Sequence, residues 1–295
     1  MAPHIWAMNK TLLSFGHGFS ARALTPMLLA EGWRVIGTTR SSEKAAALVA
    51  EGVEARIWPG ADLSADIAAA RHVLISAGPG ESGDPVLAAL GAEIAAAVPH
   101  LDWVGYLSTT GVYGDHRGGW VDEATPLTPS TLRGQWRVEA EAAWQAIPGL
   151  PLHVFRLAGI YGPGRGPFAK VRAGTARRII KPGQVFSRIH VDDIAQVLHA
   201  SLARPDPGVV YNLCDDDPAP PEDVIGHAAE LLGLPLPPAE DFEIAEMTPM
   251  ARSFYAESKR VRNDRIKDNL GVTLRYPSYR DGLPALLALE QAKGG

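Results

Sequence analysis

Residues Thr11 to Arg40, TLLSFGHGFSARALTPMLLAEGWRVIGTTR, constrain what this chain can fold into more than any other stretch. A short apolar run, Leu12 to Phe15, meets Gly16, Gly18 and Ala21, and Leu24, Leu28 and Leu29 then recur at helical spacing up to Gly32. That pattern predicts strand, tight turn and helix. A second apolar run, Trp33 to Gly37, predicts the returning strand of a βαβ unit. In such a unit the first glycine permits the turn, the second lets backbone N–H groups approach a pyrophosphate, and a small third residue lets helix and strand pack closely. Ala21 meets the third demand. The helix opens at Phe19 and Ser20, where unpaired N–H donors and a partial positive charge suit phosphate oxygens. The expectation is a dinucleotide site over Gly16, Gly18, Phe19, Ser20 and Ala21, with a purely structural turn as the competing reading.

Composition narrows the class. At 295 residues, 46% hydrophobic and 21% charged, the chain can bury a large core as one domain or two. A net charge of -5 without a basic block argues against a nucleic-acid surface. The run from Arg172 to Lys181 is interrupted by Gly174 and apolar residues, and reads as a solvated face or a small-anion contact. A single cysteine, Cys214, excludes an intramolecular disulfide and fits a reducing, cytoplasmic setting. The first ten residues, MAPHIWAMNK, are too short and too weakly apolar for a signal peptide, and no uncharged run reaches membrane-spanning length. No membrane association is expected. The nine histidines show no H-x-x-x-H spacing, so no metal site is expected either.

Along the chain, helical and strand-like patterns alternate. Helices are expected over Ser41–Gly52, Asp62–Ala70, Pro85–Val98 and Ser130–Ile147, the last with Trp136, Ala140, Ala143 and Ile147 on one face. Strands are expected at Val53–Trp58, in HVLISAGPG, at Trp103–Leu107 and in PLHVFRL. Such alternation implies an α/β fold, a Rossmann-like doubly wound parallel sheet flanked by helices with strand order 3-2-1-4-5-6. Ligands then lie beyond the carboxyl ends of the strands, which places Ser76, Ala77, Gly78 and Pro79 toward a cofactor. Past Tyr161 the pattern turns irregular, with short helices near Asp192–Ala203, Glu222–Leu232 and Val261–Leu270 between proline clusters. The reading is a dinucleotide-binding domain over residues 9–160, completed by a strand at 209–213, and a smaller C-terminal substrate lobe over 161–295.

Taken together, the glycine turn, LSTTGVYGD from Leu107, the helix after TPLTPS, FRLAGIYGPGR from Phe155, SRIHVDDIA from Ser187 and YNLCDDD from Tyr211 resemble the extended short-chain dehydrogenase/reductase superfamily. The branch they resemble is the NAD-dependent epimerase/dehydratase one. The resemblance implies hydride transfer with a nicotinamide cofactor on a small polar, sugar-derived or anionic substrate, with Leu157 and Ala158 in the cofactor wall and a homodimer built on the helices flanking strand five. It also implies a Ser or Thr four residues before the tyrosine of VYG, here Thr109, that hydrogen-bonds the reacting group.

The chain departs from the family where its Tyr-x-x-x-Lys pair belongs. Arg133-Gly134-Gln135-Trp136-Arg137 occupies that stretch. The family's tyrosine works as an acid/base whose pKa is lowered by nearby positive charge, whereas a guanidinium has no lone pair with which to take a proton. Arg133 and Arg137, at i and i+4, share a helix face. They form either an anion clamp or a solvated face, and Tyr113 is the candidate substitute acid/base. His190 is expected to pack the C-terminal lobe, and Asp192 or Asp193 to cap the following helix. Cofactor choice is read at the end of the second strand, where Thr39, Arg40 and Ser41 stand with no carboxylate before Glu43, so NADP is expected over NAD. The alternative to an enzyme is a catalytically silent NADP(H)-binding sensor.

Overall fold

The computed structural model describes residues 10–294; the segment read above for a signal peptide, and residue 9 at the start of the first domain, lie outside the described residues. Seven parallel strands form the central sheet: β1 (Thr11–Phe15), β2 (Arg34–Thr39), β3 (Glu54–Ile57), β4 (His72–Ile75), β5 (Trp103–Thr109), β6 (Leu152–Leu157) and β7 (Val210–Leu213). Their order is β3-β2-β1-β4-β5-β6-β7. This is the expected Rossmann-like order through six strands, with the returning strand added beside β6 as a seventh.

Both faces of the sheet are covered, which is why its strands read as continuous apolar runs and not as alternating ones. Leu12 and Leu74 pack into the cluster shared with Leu24 and Leu28 of α1 (Phe19–Ala30). Their neighbours Leu13, Val73 and Ile75 point the other way, into a cluster with Ile67, Ile94 and Trp144. The intervening helices are α2 (Ser42–Ala50), α3 (Ser64–Ala69), α4 (Pro85–Ala97) and α5 (Leu132–Gln145). Ser41 caps α2 through the Lys44 amide, Asp84 caps α4 through Val86 and Leu87 with Pro85 just inside, and Thr131 caps α5 through Gly134.

The buried face of α5 differs from the expected one. Gly134, Ala140, Glu141 and Trp144 are buried, while Ala143 is exposed. Counting apolar residues missed this because the face carries a carboxylate. Glu141 accepts from Nε and Nη2 of Arg156 on β6 at 3.2 and 2.7 Å, and from the Ser108 hydroxyl at 2.5 Å. Arg156 also donates to the Tyr113 hydroxyl at 3.0 Å, and that hydroxyl donates to Asn212 Oδ1 on β7 at 2.7 Å.

Beyond β6, a third apolar cluster joins Tyr161, Phe168 and Val171 to Val224 and Ala228 of helix Pro221–Leu231 and to Leu283 and Leu286 of helix Tyr279–Gly294. The last helix went unanticipated because Gly282 and Pro284 sit in its first half, where sequence rules call for a break. The helix cap expected of Asp192 or Asp193 is supplied instead by His190, whose Nδ1 accepts from the Asp192 amide at 3.1 Å. Asp193 turns away and accepts from the amides of Arg275 and Tyr276. His190 is a core residue as expected, fully buried between the rings of Tyr161 and Tyr276.

Replacing Glu141 by Ala leaves the Arg156 guanidinium buried without its counter-charge. The expected loss is about 3–5 kcal/mol of unfolding free energy, read by urea denaturation. A loss below about 1 kcal/mol would mean that the pair does not hold β6 to α5.

Candidate functional site

The carboxyl ends of β1, β4, β5 and β6 open onto one cleft of about 1330 Å³. At the β1 end, Gly16 has φ +73°, and a Cβ on it would lie 2.9 Å from the Ala77 amide nitrogen. Only glycine fits there, because both the conformation and the approach to the strand-four loop exclude a side chain. The Gly16 amide donates to Thr38 Oγ1 at 2.8 Å, and Ala77 donates to the Phe15 carbonyl. These bonds tie the ends of β1, β2 and β4 together. No side chain caps the first turn of α1, and that turn carries no acidic residue. Its free N–H groups therefore face the cleft unneutralised, as an anion site requires.

The cleft brings together Gly16, Gly18, Phe19 and Ser20 from the turn, Ser76 and Pro79 after β4, Thr109 after β5, and Leu157 and Ala158 after β6. Arg133 and Arg137 of α5 line it as well. Ala21 is buried against the sheet, where its small size was predicted to matter. Gly78 lies outside the lining, beside the Arg137 guanidinium. Thr39 closes β2 and Arg40 and Ser41 follow it, all three outside the cleft lining; Arg40 is exposed and makes no hydrogen bond or ion pair among the described residues.

Helix α5 seats closely because Gly134 passes the turn after β5: a Cβ there would come 2.9 Å from the Gly111 carbonyl. Thr109 starts that turn, its Oγ1 accepting from the Gly111 amide at 3.2 Å. One helical turn on, Arg137 Nη1 donates to the Leu107 carbonyl at 2.6 Å and to the Tyr106 hydroxyl at 3.2 Å. Burial pushes the Tyr106 phenol up to about 12, so it holds its proton at neutral pH. Arg137 is thus a fixed cation at the cleft floor, whereas Arg133 is exposed at the rim.

Tyr113 departs from its expected place. It is fully buried outside the cleft lining, its hydroxyl is shared between Arg156 and Asn212, and burial raises its pKa. A phenol so committed cannot meet a ligand in the cleft. Sequence reasoning also missed the opposite wall, where Phe186 and Arg188 meet Phe254, Tyr255, Glu257 and Lys259 from a second segment with no spacing that links the two.

Residues 15–214 match the model of the NAD dependent epimerase/dehydratase family. This chain belongs to that family. As an epimerase/dehydratase family member it is similar to Protein YeeZ of Escherichia coli (strain K12), 28% identical over 296 residues that cover 95% of this chain and 100% of the relative. A functionally unknown conserved protein from Silicibacter pomeroyi DSS superposes with a TM-score of 0.92 at 66% identity, covering 95% of this chain and 99% of that one. The UDP-glucose 4-epimerase of Thermotoga maritima superposes at 0.78 with 15% identity over 97% and 100%, a likeness of fold.

Within this family member the middle residue of the glycine turn is a histidine. Thr25 Oγ1 gives its proton to the Ala21 carbonyl, so His17 Nε2 donates to Thr25 at 2.9 Å and Nδ1 is left without a partner. Burial lowers the His17 pKa from 6.5 to about 4, and that of His153 likewise to about 4. The unfolded chain therefore takes up these protons first as pH falls. Stability is full above pH about 6.5 and is lost toward pH 4, by roughly 3 kcal/mol for one such histidine. Urea midpoints measured from pH 7 to pH 4 should fall, and His17→Gln should remove part of that slope. An unchanged slope in the variant would mean that His17 titrates alike in both states.

Proposed function

We propose that this chain binds NADP(H) along the cleft and uses it for hydride transfer on a small anionic substrate held near Thr109. The observation that carries the reading is one continuous cleft with a glycine turn at one end and Thr109, Arg133 and Arg137 further along it. The close approach of Gly16 to the strand-four loop and the uncapped first turn of α1 fit a pyrophosphate. Arg40 is free to meet a 2′-phosphate. Leu157 and Ala158 give an apolar wall, and residues 9–160 would hold the cofactor while residues 161–295 hold most of the substrate. A bound nicotinamide dinucleotide supplies the hydride donor or acceptor.

The chain's own residues bind and orient more than they exchange protons. Thr109 can donate a hydrogen bond to a reacting oxygen. The two guanidiniums can pair bidentately with carboxylate or phosphate but keep their protons. General acid–base help is worth about 10²–10⁴-fold, so turnover of simple alcohols should be slow. A second reading, silent NADP(H) binding by a sensor, is favoured by the arginines that stand at positions 133 and 137 of α5, neither of which can take up a proton.

Titration of NADPH and NADH against the wild type, Gly18→Val and Arg40→Ala tests the cofactor half. NADPH should bind about tenfold to a hundredfold tighter than NADH, since a charge-assisted contact is worth roughly 1.5–3 kcal/mol. Gly18→Val should weaken both cofactors, and Arg40→Ala should erase only the preference. Equal or tighter NADH binding by the wild type rejects Arg40 as selector. For the substrate half, a panel of neutral and anionic alcohols and carbonyls is run with both cofactor redox states. Anionic compounds should be preferred, and Arg133→Ala should reduce that preference. Brisk turnover of a neutral sugar, unaffected by Arg133→Ala, would place the chemistry elsewhere; cofactor binding with no turnover at all would favour the sensor.

A further inference from the structure

The charged side chains along the cleft are Arg133, Arg137, Arg165, Arg188 and Lys259 against one carboxylate, Glu257, in a chain whose net charge is -5. Glu257 is not free to meet a ligand: it pairs with Lys259 at 2.5 Å and accepts from the Ser130 hydroxyl at 2.6 Å. Arg188, like Arg137, is held by backbone carbonyls. Its Nη1 donates to the carbonyls of Phe186 and Ala219 at 2.8 and 3.0 Å, which fix the guanidinium, yet it makes no ion pair among the described residues. The nearby carboxyl, Asp215, is buried and makes no ion pair with the Arg188 guanidinium among the described residues, and burial pushes its pKa up to about 8. Burial also holds the Arg188 pKa below its ordinary value. Arg188 is only half-buried and lines the cleft, so a ligand carboxylate could reach its guanidinium and pair with it in bidentate geometry.

The surface around Arg188 is apolar. Phe186 and Tyr255 meet edge to face at 5.5 Å, and the Arg188 guanidinium lies 6.0 Å from the Phe186 ring. Met250 and Phe254, on the helix Pro249–Phe254, line the same cleft and remain 53% and 60% exposed. A hexose would need a partner for each hydroxyl taken out of water. No Asn, Gln, Asp or His lines the cleft among the described residues, its one carboxylate is already engaged, and on this wall the hydroxyls of Ser187 and Ser253 are bonded to the Val261 amide and the Met250 carbonyl.

We infer that the ligand of this wall is an aromatic carboxylate, its charge on Arg188 and its ring against Phe186, Tyr255, Phe254 and Met250. The inference rests on the reading of the cleft as a substrate site, and deepens it by naming the substrate class. A sugar nucleotide is the competing ligand.

The test is calorimetry on the full chain, with and without saturating NADPH. The probes are benzoate, cinnamate, phenylpyruvate and indole-3-acetate, their primary amides, acetate and UDP-glucose. At least one aromatic acid should bind tenfold or more tighter than its own amide and than acetate. Arg188→Ala should bring the acid-to-amide ratio close to one, and Arg188→Lys should restore part of it. Phe254→Ala, an exposed change that leaves the fold intact, should lower the acid-to-acetate ratio several-fold. The inference is overturned if no acid outbinds its amide, if UDP-glucose binds tighter than every acid, or if Arg188→Ala and Phe254→Ala both leave the ratios unchanged. NADPH affinity is read in the same titrations. Acid preference without NADPH binding would sink the cofactor reading and leave this one standing, and the reverse result would do the opposite.

Discussion

The contact on which the rest of this structure depends is the buried pair between Glu141 of α5 and Arg156 of β6. A charge pair taken out of water gains little net stability over apolar residues of the same shape, but it tolerates no loss of either partner. Here it also fixes position. Through Ser108 it reaches the end of β5, through Tyr113 the turn that follows, and through Asn212 the outermost strand β7. Thr109, Arg133 and Arg137 are therefore set against one another by a network lying behind the cleft. The same network explains why Tyr113 is unavailable for chemistry: its hydroxyl is one of the links.

A second constraint sits at the other end of the cleft. Gly16 can approach the loop after β4 only without a side chain, and its amide is held by Thr38. His17 lies beneath the turn, neutral because it is buried, so the turn gains no charge from it at physiological pH. Positive potential there comes from the backbone of α1 together with Arg165, whose guanidinium lies 5.6 Å from the Phe19 ring. The two ends thus use different physics: helix N–H donors suit a pyrophosphate of fixed shape, while guanidiniums on α5 and beside Phe186 suit anions of more varied geometry.

How much of this was legible in the sequence follows from how local each signal is. The glycine turn, the apolar strands and most helix limits are written in short-range periodicity, and the seven-stranded order obeys the handedness of βαβ units. Glu141 was illegible because a carboxylate on a buried helix face looks like a surface residue until its arginine, fifteen positions on, is folded against it. The helix Tyr279–Gly294 was hidden by Gly282 and Pro284, whose local preference is overridden by the burial of Leu283 and Leu286. The wall of Phe186, Arg188, Phe254 and Lys259 comes from segments about seventy residues apart, so only the tertiary fold assembles it.

That wall changes how the missing tyrosine and lysine should be understood. If α5 had merely lost its acid/base pair, the cleft would be expected to keep hydrogen-bonding groups suited to sugar hydroxyls, with two substitutions in an otherwise polar site. Instead the far wall carries aromatic rings and a guanidinium held by backbone carbonyls. A ligand whose carboxylate is already ionised and whose ring needs no hydrogen bonds makes few demands for proton exchange in binding. The two arginines of α5 then continue the positive surface that Arg188 begins, and a net negative protein presents a cationic channel that focuses the field on small anions arriving from solvent.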